Sequence, residues 1–133
     1  MSYLDTRITR EEFILTRGVE NTQQSAKSHL NVFDYFCKNI FCKEGDEVII
    51  DIQNAIKEDQ NYDRLFRLCN SFVQWLQQDH PEIKPNFSGI EYIKKHNPSS
   101  IQIIISCLRN YIEEFGQKNE NIKLFSSRYC HVF

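Results

Sequence analysis

Polar side chains that could read the edges of DNA base pairs recur between residues 97 and 116. At helical spacing they fall on one side of the segment, opposite an apolar stripe. This polar side consists of Ser99, Gln102, Ser106, Arg109, Asn110 and Glu113. In a duplex major groove Arg pairs with guanine, Gln and Asn pair with adenine, and Ser bonds to several acceptors. The pattern therefore fits a DNA-reading helix, although a solvated helix face is the commoner use of such residues.

A second polar face and a basic cluster extend this candidate interface. The face lies on a helix expected from Asn21 or Thr22 to about Phe41, with an apolar stripe at steps of three and four residues. Opposite the stripe lie Gln24, Lys27, Asn31 and Lys38, flanked by Ser28 and Tyr35. The basic cluster just before residue 97 is Lys94, Lys95 and His96. It could meet phosphates, and a solvated loop is an equal alternative.

The elements that must position these residues are helices. Apolar residues at helical spacing predict four main helices, at residues 21–41, 47–59, 62–79 and 97–116. A capping box at Thr9 predicts a short helix before them, ending near Gly18. Only four Gly and three Pro occur in 133 residues, which disfavours a turn-rich all-β fold. We therefore expect an all-α fold.

Helix ends and domain limits follow from the same patterns. Asn97 and Pro98 are expected to start the last helix and Gly116 to end it, while Asp46 is expected to cap the helix at 47–59. The chain of 133 residues fits a single domain. Its predicted parts are an N-terminal arm at 1–20, a helical core at 21–116 and a tail or linker at 117–133.

The apolar stripes predict a single core. Phe33 and Leu108 should be buried and should join the first and last main helices. We expect Trp75 to be a packing residue rather than a platform for base stacking, because burial is the usual role of so large an apolar side chain. Val32 and Ile103 are expected to be exposed.

Little else in the sequence has the spacing of a chemical site. The five cysteines form no Cys-x-x-Cys, and Cys130 beside His131 is weak evidence for a metal. Gly-rich phosphate loops and hydrolase motifs do not occur in the sequence, so we expect no cofactor and no metal.

Neither a membrane span nor a secretion signal is expected, which makes a cytoplasmic protein the default. The net charge is −2, but the acids concentrate between residues 46 and 91, which leaves the first and last main helices poorer in acid.

Two segments resemble tyrosine recombinases of the phage-integrase family. Residues 97–112 are similar to the motif Ser-Pro-x-Thr-Ile-x-x-x-Leu-Ser-Ala-Leu-Arg-x-Phe-Leu, late in the N-terminal core-binding domain of these enzymes. The matching residues are Pro98, Ile101, Ile105, Ser106, Leu108, Arg109 and Ile112. Residues 22–36 are similar to the motif Thr-x-x-x-Tyr-x-x-x-Leu-x-x-Phe-x-x-Phe, matched by Thr22, Leu30, Phe33 and Phe36. The chain departs from these motifs at Ala26, Ser100, Cys107 and Tyr111.

The resemblance implies an orthogonal, SAM-like bundle of four main helices with short extra helices. Such a core-binding domain clamps double-stranded DNA for site-specific integration and recombination, together with other recombinase subunits. With the polar faces, the predicted DNA-binding set is Thr22, Gln24, Lys27, Ser28, Asn31, Lys94, Lys95, Ser99, Ser100, Gln102, Ser106 and Arg109. The expected location is cytoplasmic and on DNA.

In the resembled family, catalysis belongs to a separate C-terminal domain that carries a Tyr nucleophile beside an Arg/His cluster. The surroundings of Tyr129 lack that cluster, so we do not expect the chain alone to be an enzyme. Two alternatives need no nucleic acid: a helical protein–protein interaction module and a regulatory domain. The near-neutral charge and the apolar residues Val32 and Ile103 favour the interaction module. Duplex binding across a salt series distinguishes these alternatives from a DNA-binding domain.

Overall fold

Five helices contain most of the residues that the computed structural model describes, which are 8–60, 62–85 and 92–115. They are α1 (Arg10–Leu15), α2 (Glu20–Phe41), α3 (Gly45–Asp59), α4 (Asp63–Leu76) and α5 (Pro98–Glu114). Within these ranges there is no β-strand, only an isolated antiparallel bridge between His80 and Ile93. The all-α prediction is confirmed, with one short helix preceding four main ones.

Two predicted N-terminal caps are present. Thr9 Oγ1 accepts a hydrogen bond from the backbone N–H of Glu12 at 3.2 Å, and the Glu12 carboxylate accepts one from the Thr9 N–H at 3.2 Å. Asn97 Oδ1 likewise accepts from the Ser100 N–H at 2.8 Å, and Pro98 is the first residue of α5. These side chains satisfy N–H groups that lack a partner within the helix.

The predicted cap at Asp46 is wrong. α3 begins at Gly45 with Glu44 as its N-cap residue, and no side chain caps it. Asp46 Oδ1 instead accepts hydrogen bonds from Arg10 at 2.7 Å and from the Tyr111 hydroxyl at 2.8 Å. A charge-assisted contact with two distant residues thus replaces the local capping interaction.

Other boundaries shift by small amounts. α1 ends at Leu15, α2 begins at Glu20 with no side-chain cap, and α5 ends at Glu114. Gly116, the predicted stop of α5, lies outside the described residues, as does the predicted tail at 117–133.

The helix predicted at residues 62–79 ends earlier, at Leu76, because the following chain turns back and packs against the end of α4. The His80 ring stacks on Trp75 with centroids 4.0 Å apart, and its Nε2 lies 2.6 Å from the Trp75 carbonyl oxygen. The His96 N–H donates to the Leu76 carbonyl at 2.8 Å, so the start of the α5 segment is tied to the same helix end. Trp75 is only 6% exposed, which confirms its role in packing.

The core is centred on α2, which contacts each of the other four helices. Aromatic rings fill much of it, with Phe72 of α4 lying 5.4 Å from Phe33 and 4.9 Å from Phe36 between ring centroids. The largest fully buried side chains are Phe13, Leu30, Phe33, Phe36, Ile49, Phe72, Leu76, Leu108, Tyr111 and Ile112. The predicted burial of Phe33 and Leu108 is therefore confirmed.

A polar cluster of Arg10, Asp34, Asp46 and Tyr111 joins four helices at the edge of this core. The Arg10 guanidinium donates two hydrogen bonds to the Asp34 carboxylate and one to Asp46, and its Nε lies 3.2 Å from the Tyr111 hydroxyl. Burial raises the pKa of Asp34, while Arg10 opposes that rise. Burial lowers the pKa of Arg10, but the hydrogen bonds of Arg10 to Asp34 and Tyr111 outweigh this effect and leave the pKa above its usual range. The cluster fixes α1 against α2, α3 and α5 through charge-assisted bonds.

Gly45 leaves the space that this cluster needs. A Cβ at Gly45 would collide with Asp34 Oδ1 and lie 3.1 Å from Cδ2 of Phe33. Because Arg10 holds the Asp34 carboxylate and the Phe33 ring is fully buried, neither can move freely. We expect Gly45→Ala to lower the free energy of unfolding by about 1–3 kcal/mol in urea denaturation. The control Asn54→Ala, at an exposed site on the same helix, should change it by no more than about 0.5 kcal/mol; equal stability of the two variants would contradict the collision.

Candidate nucleic-acid interface

The first half of α2 presents the predicted polar side chains to solvent. Thr22, Gln24, Lys27 and Ser28 are exposed and Asn31 is half-buried. Gln24, Lys27, Ser28 and Asn31 lie away from the stripe formed by Ala26, Leu30, Phe33 and Cys37, all buried, whereas Thr22 lies one turn before Ala26 on the side of the stripe. Helical periodicity predicted this arrangement, because the side that packs on the core determines which residues face outward.

The α5 residues divide into exposed and half-buried positions. Ser99, Gln102 and Ser106 are exposed on the side away from the core. Ser100 is half-buried, and its N–H is used by the Asn97 cap. Its position in the first turn puts it near the positive end of the helix dipole.

Arg109 is half-buried at the edge of the α5 polar face rather than at its centre. Burial raises the pKa of the Cys69 thiol on α4 to about 12, and the nearby Arg109 charge opposes that rise. The guanidinium therefore lies close enough to α4 to act on this thiol, while α5 carries it at the margin of the exposed face.

Lys94 and Lys95 are exposed on the chain that leads into α5. The Lys95 N–H donates to Asp79 Oδ1 at 2.9 Å, which attaches this stretch to the residues after α4. Lys94 Nζ lies 5.7 Å from the centroid of the Tyr92 ring. Both lysines thus lie just before the N-terminal end of α5.

The two halves of the interface come near each other at His29 and His96. The pKa of His29 is lowered, first by burial and then by the charge that neighbouring His96 carries when protonated. Burial also lowers the pKa of His96. α5 also packs against α2. Sequence spacing does not reveal this proximity, because the residues lie in separate segments.

The two joined stretches contain no acidic residue. Residues 21–33 and 94–112 include no Asp or Glu, yet they contain Lys27, Lys94, Lys95 and Arg109. By contrast, α3 contains Asp46, Glu47, Asp51, Glu58 and Asp59 with Lys57 as its one basic residue. The acid-free stretches are therefore better suited by charge to an anionic partner than α3 is.

Other predicted features have mixed outcomes. Val32 was expected to be exposed and is half-buried against the core, since the stripe of α2 is wide enough to include it. Ile103 is 57% exposed, as predicted. Tyr129, Cys130 and His131 lie outside the described residues. Among those that are described, no group of three or more His, Cys, Asp or Glu could hold a metal ion, and no helix is long and apolar enough to cross a membrane.

No family model, curated protein or solved structure matches the chain.

Proposed function

We propose that this chain is a DNA-binding helical domain, similar in role to the SAM-like core-binding domain with which tyrosine recombinases clamp a recombination site. The DNA face would comprise the exposed side of α2 up to Asn31, the lysines at 94 and 95, and the exposed side of α5 up to Arg109. Cutting and rejoining of DNA, and contacts with other recombinase subunits, would require residues other than these.

The observation that carries the proposal is the packing of α5 against α2, beside which the charge of His96 acts on His29. It brings together two acid-free stretches that are far apart in sequence and whose outward residues, apart from Ile103, are mainly polar or basic. A phosphate backbone favours such a surface, because each neutralised phosphate releases condensed counterions. The start of α5 adds the positive end of a helix dipole beside the two lysines.

Base recognition would depend on the neutral side chains of the face. Gln102 and Ser106 are exposed on α5 at helical spacing, with Arg109 at the margin. The exposed Ile103 between them suits contact with a thymine methyl group, and it also suits the interaction module that is the alternative. We propose that phosphate contacts from the lysines set the register in which these side chains meet the bases.

The test is duplex DNA binding by fluorescence anisotropy across a salt series, begun at low salt. We expect Lys27→Ala to weaken binding to all sequences alike and to reduce the slope of log K against log salt by about one unit. The matched control is Lys38→Ala on the same helix, because Lys38 Nζ already pairs with Glu44 at 3.1 Å. This control should leave the slope unchanged.

Two results would count against the proposed DNA face. One is an unchanged salt slope in Lys27→Ala. The other is a DNA titration in which amide shifts appear on α3 while the exposed residues of α2 and α5 do not move. Absence of duplex binding even at low salt would favour a domain without a nucleic-acid role.

A further inference from the structure

An open groove lies between α3 and α4 and is bounded at one end by the last turn of α2. Its volume is about 360 Å³. The apolar part of its lining comes from Phe41, Val48, Ile52 and Leu68. Phe41 is 41% exposed, whereas the other three are nearly covered. The groove therefore offers an apolar floor with one accessible aromatic wall.

The rim of this groove is basic. Lys43, Arg64 and Arg67 line it, with Asp51 as its one acidic residue. Arg64 and Arg67 lie one turn apart on α4, so both guanidinium groups emerge along the same edge. Lys43 Nζ contacts Asp51 Oδ2 at 3.1 Å, which neutralises that carboxylate.

The arginines can exchange partners at low cost. Arg67 pairs with Asp63 at 3.1 Å, but their side chains are 80% and 65% exposed. An ion pair this exposed contributes little stability, so a carboxylate from another molecule can replace Asp63. Among the described residues, no ion pair of Arg64 is seen.

From this combination we infer that the groove binds an acidic peptide segment of a partner protein, with apolar side chains inserted between Phe41 and Leu68. The lining carries three basic residues against one acidic residue, although α3 itself is acidic and the chain has a net charge of −2. Charge complementarity therefore selects an anionic partner at this particular place. Arginine guanidinium groups form paired hydrogen bonds with carboxylates, which an acidic peptide supplies.

The apolar floor distinguishes a peptide from DNA. A nucleic-acid backbone provides phosphates but no side chain that would fill the space beside Val48 and Ile52. An acidic peptide with aromatic or aliphatic anchors provides both kinds of contact, as in helix-in-groove recognition. This surface involves none of the residues assigned to the DNA face, so the inference does not depend on the proposed function.

The experiment uses a labelled synthetic peptide in which a Phe-x-x-Leu pair is flanked by glutamates. We expect it to bind the full chain and to shift the amide signals of Phe41, Val48 and Leu68. Arg67→Glu and Phe41→Ala should each weaken binding about tenfold or more, through loss of a carboxylate partner and of the aromatic wall. A peptide with Ser in place of both anchors should also bind about tenfold less tightly.

Matched controls separate this site from the DNA face. Lys27→Glu and Ile103→Ala alter one exposed basic and one exposed apolar residue elsewhere. Both should leave peptide affinity unchanged, and Arg67→Glu should retain DNA binding. Thermal unfolding of each variant establishes that it is folded.

Each remaining outcome overturns the inference. These outcomes are absence of peptide binding, equal binding of the Ser-substituted peptide, and affinities that neither groove variant alters. Two further overturning outcomes would identify another occupant: groove shifts produced by duplex DNA instead of peptide, or concentration-dependent self-association that Phe41→Ala abolishes.

Discussion

Replacing Phe33 with alanine is expected to lower the free energy of unfolding by about 3–5 kcal/mol. The ring is fully buried on α2, and its centroid lies 5.4 Å from that of Phe72 on α4 in an edge-to-face arrangement. It also packs beside Gly45 at the start of α3. Its removal would leave a cavity where three helices meet, and close-packed aromatic neighbours can refill such a cavity only in part.

Urea denaturation monitored by circular dichroism measures this loss. Leu108→Ala, on the buried side of α5, should also be destabilising, by about 2–5 kcal/mol. The control Ile103→Ala removes an aliphatic side chain that is 57% exposed on the same helix, and it should change stability by less than about 1 kcal/mol. If both core variants unfold together with the parent, the burial of Phe33 and Leu108 in the core is contradicted.

Arg10→Ala is expected to lower the free energy of unfolding by about 2–4 kcal/mol. Without the guanidinium, the carboxylates of Asp34 and Asp46 face each other with no positive partner, and the Tyr111 hydroxyl loses a donor. The estimate is below that for a fully buried pair because the Arg10 and Asp34 side chains are 21% and 31% exposed, which lets water enter. The control Lys38→Ala breaks an ion pair that is 69% exposed on the lysine side and should cost less than about 1 kcal/mol.

A pH series tests the electrostatic cause of this loss. Burial and the Asp46 charge raise the pKa of Asp34, and Arg10 opposes them. In Arg10→Ala that opposition disappears, so the pKa of Asp34 in the folded state rises further above its unfolded value. A carboxyl group whose pKa is higher in the folded state binds its proton more tightly there, so a falling pH stabilises the folded state. The difference in free energy of unfolding between parent and variant should therefore narrow from pH 7 towards about pH 4.

The double variant Arg10→Ala with Asp34→Asn provides an independent check. It removes the uncompensated carboxylate and should be more stable than Arg10→Ala alone at pH 7. Two results together would show that lost packing of the long Arg10 side chain causes the destabilisation. They are a double variant less stable than Arg10→Ala at pH 7, and a stability difference between parent and Arg10→Ala that does not change with pH.

The helices and two of their caps could be predicted from sequence because their causes are local. Thr9 and Asn97 each bond to an N–H three residues further along, and the apolar stripes repeat every three or four residues. The same periodicity places Gln24, Lys27, Gln102 and Ser106 on outward faces. That these residues together form one DNA-binding surface stays a prediction.

Only the tertiary structure decided which segments meet. Asp46 has the composition of a helix cap, but its partners Arg10 and Tyr111 are 36 and 65 residues away in sequence. The packing of α5 against α2 and the basic groove beside Phe41 likewise combine residues from segments far apart in sequence. Sequence periodicity determines which side of a helix is buried, whereas the neighbour of an exposed or half-buried side chain depends on how whole helices pack, because ion pairs and grooves form between residues that share no local pattern.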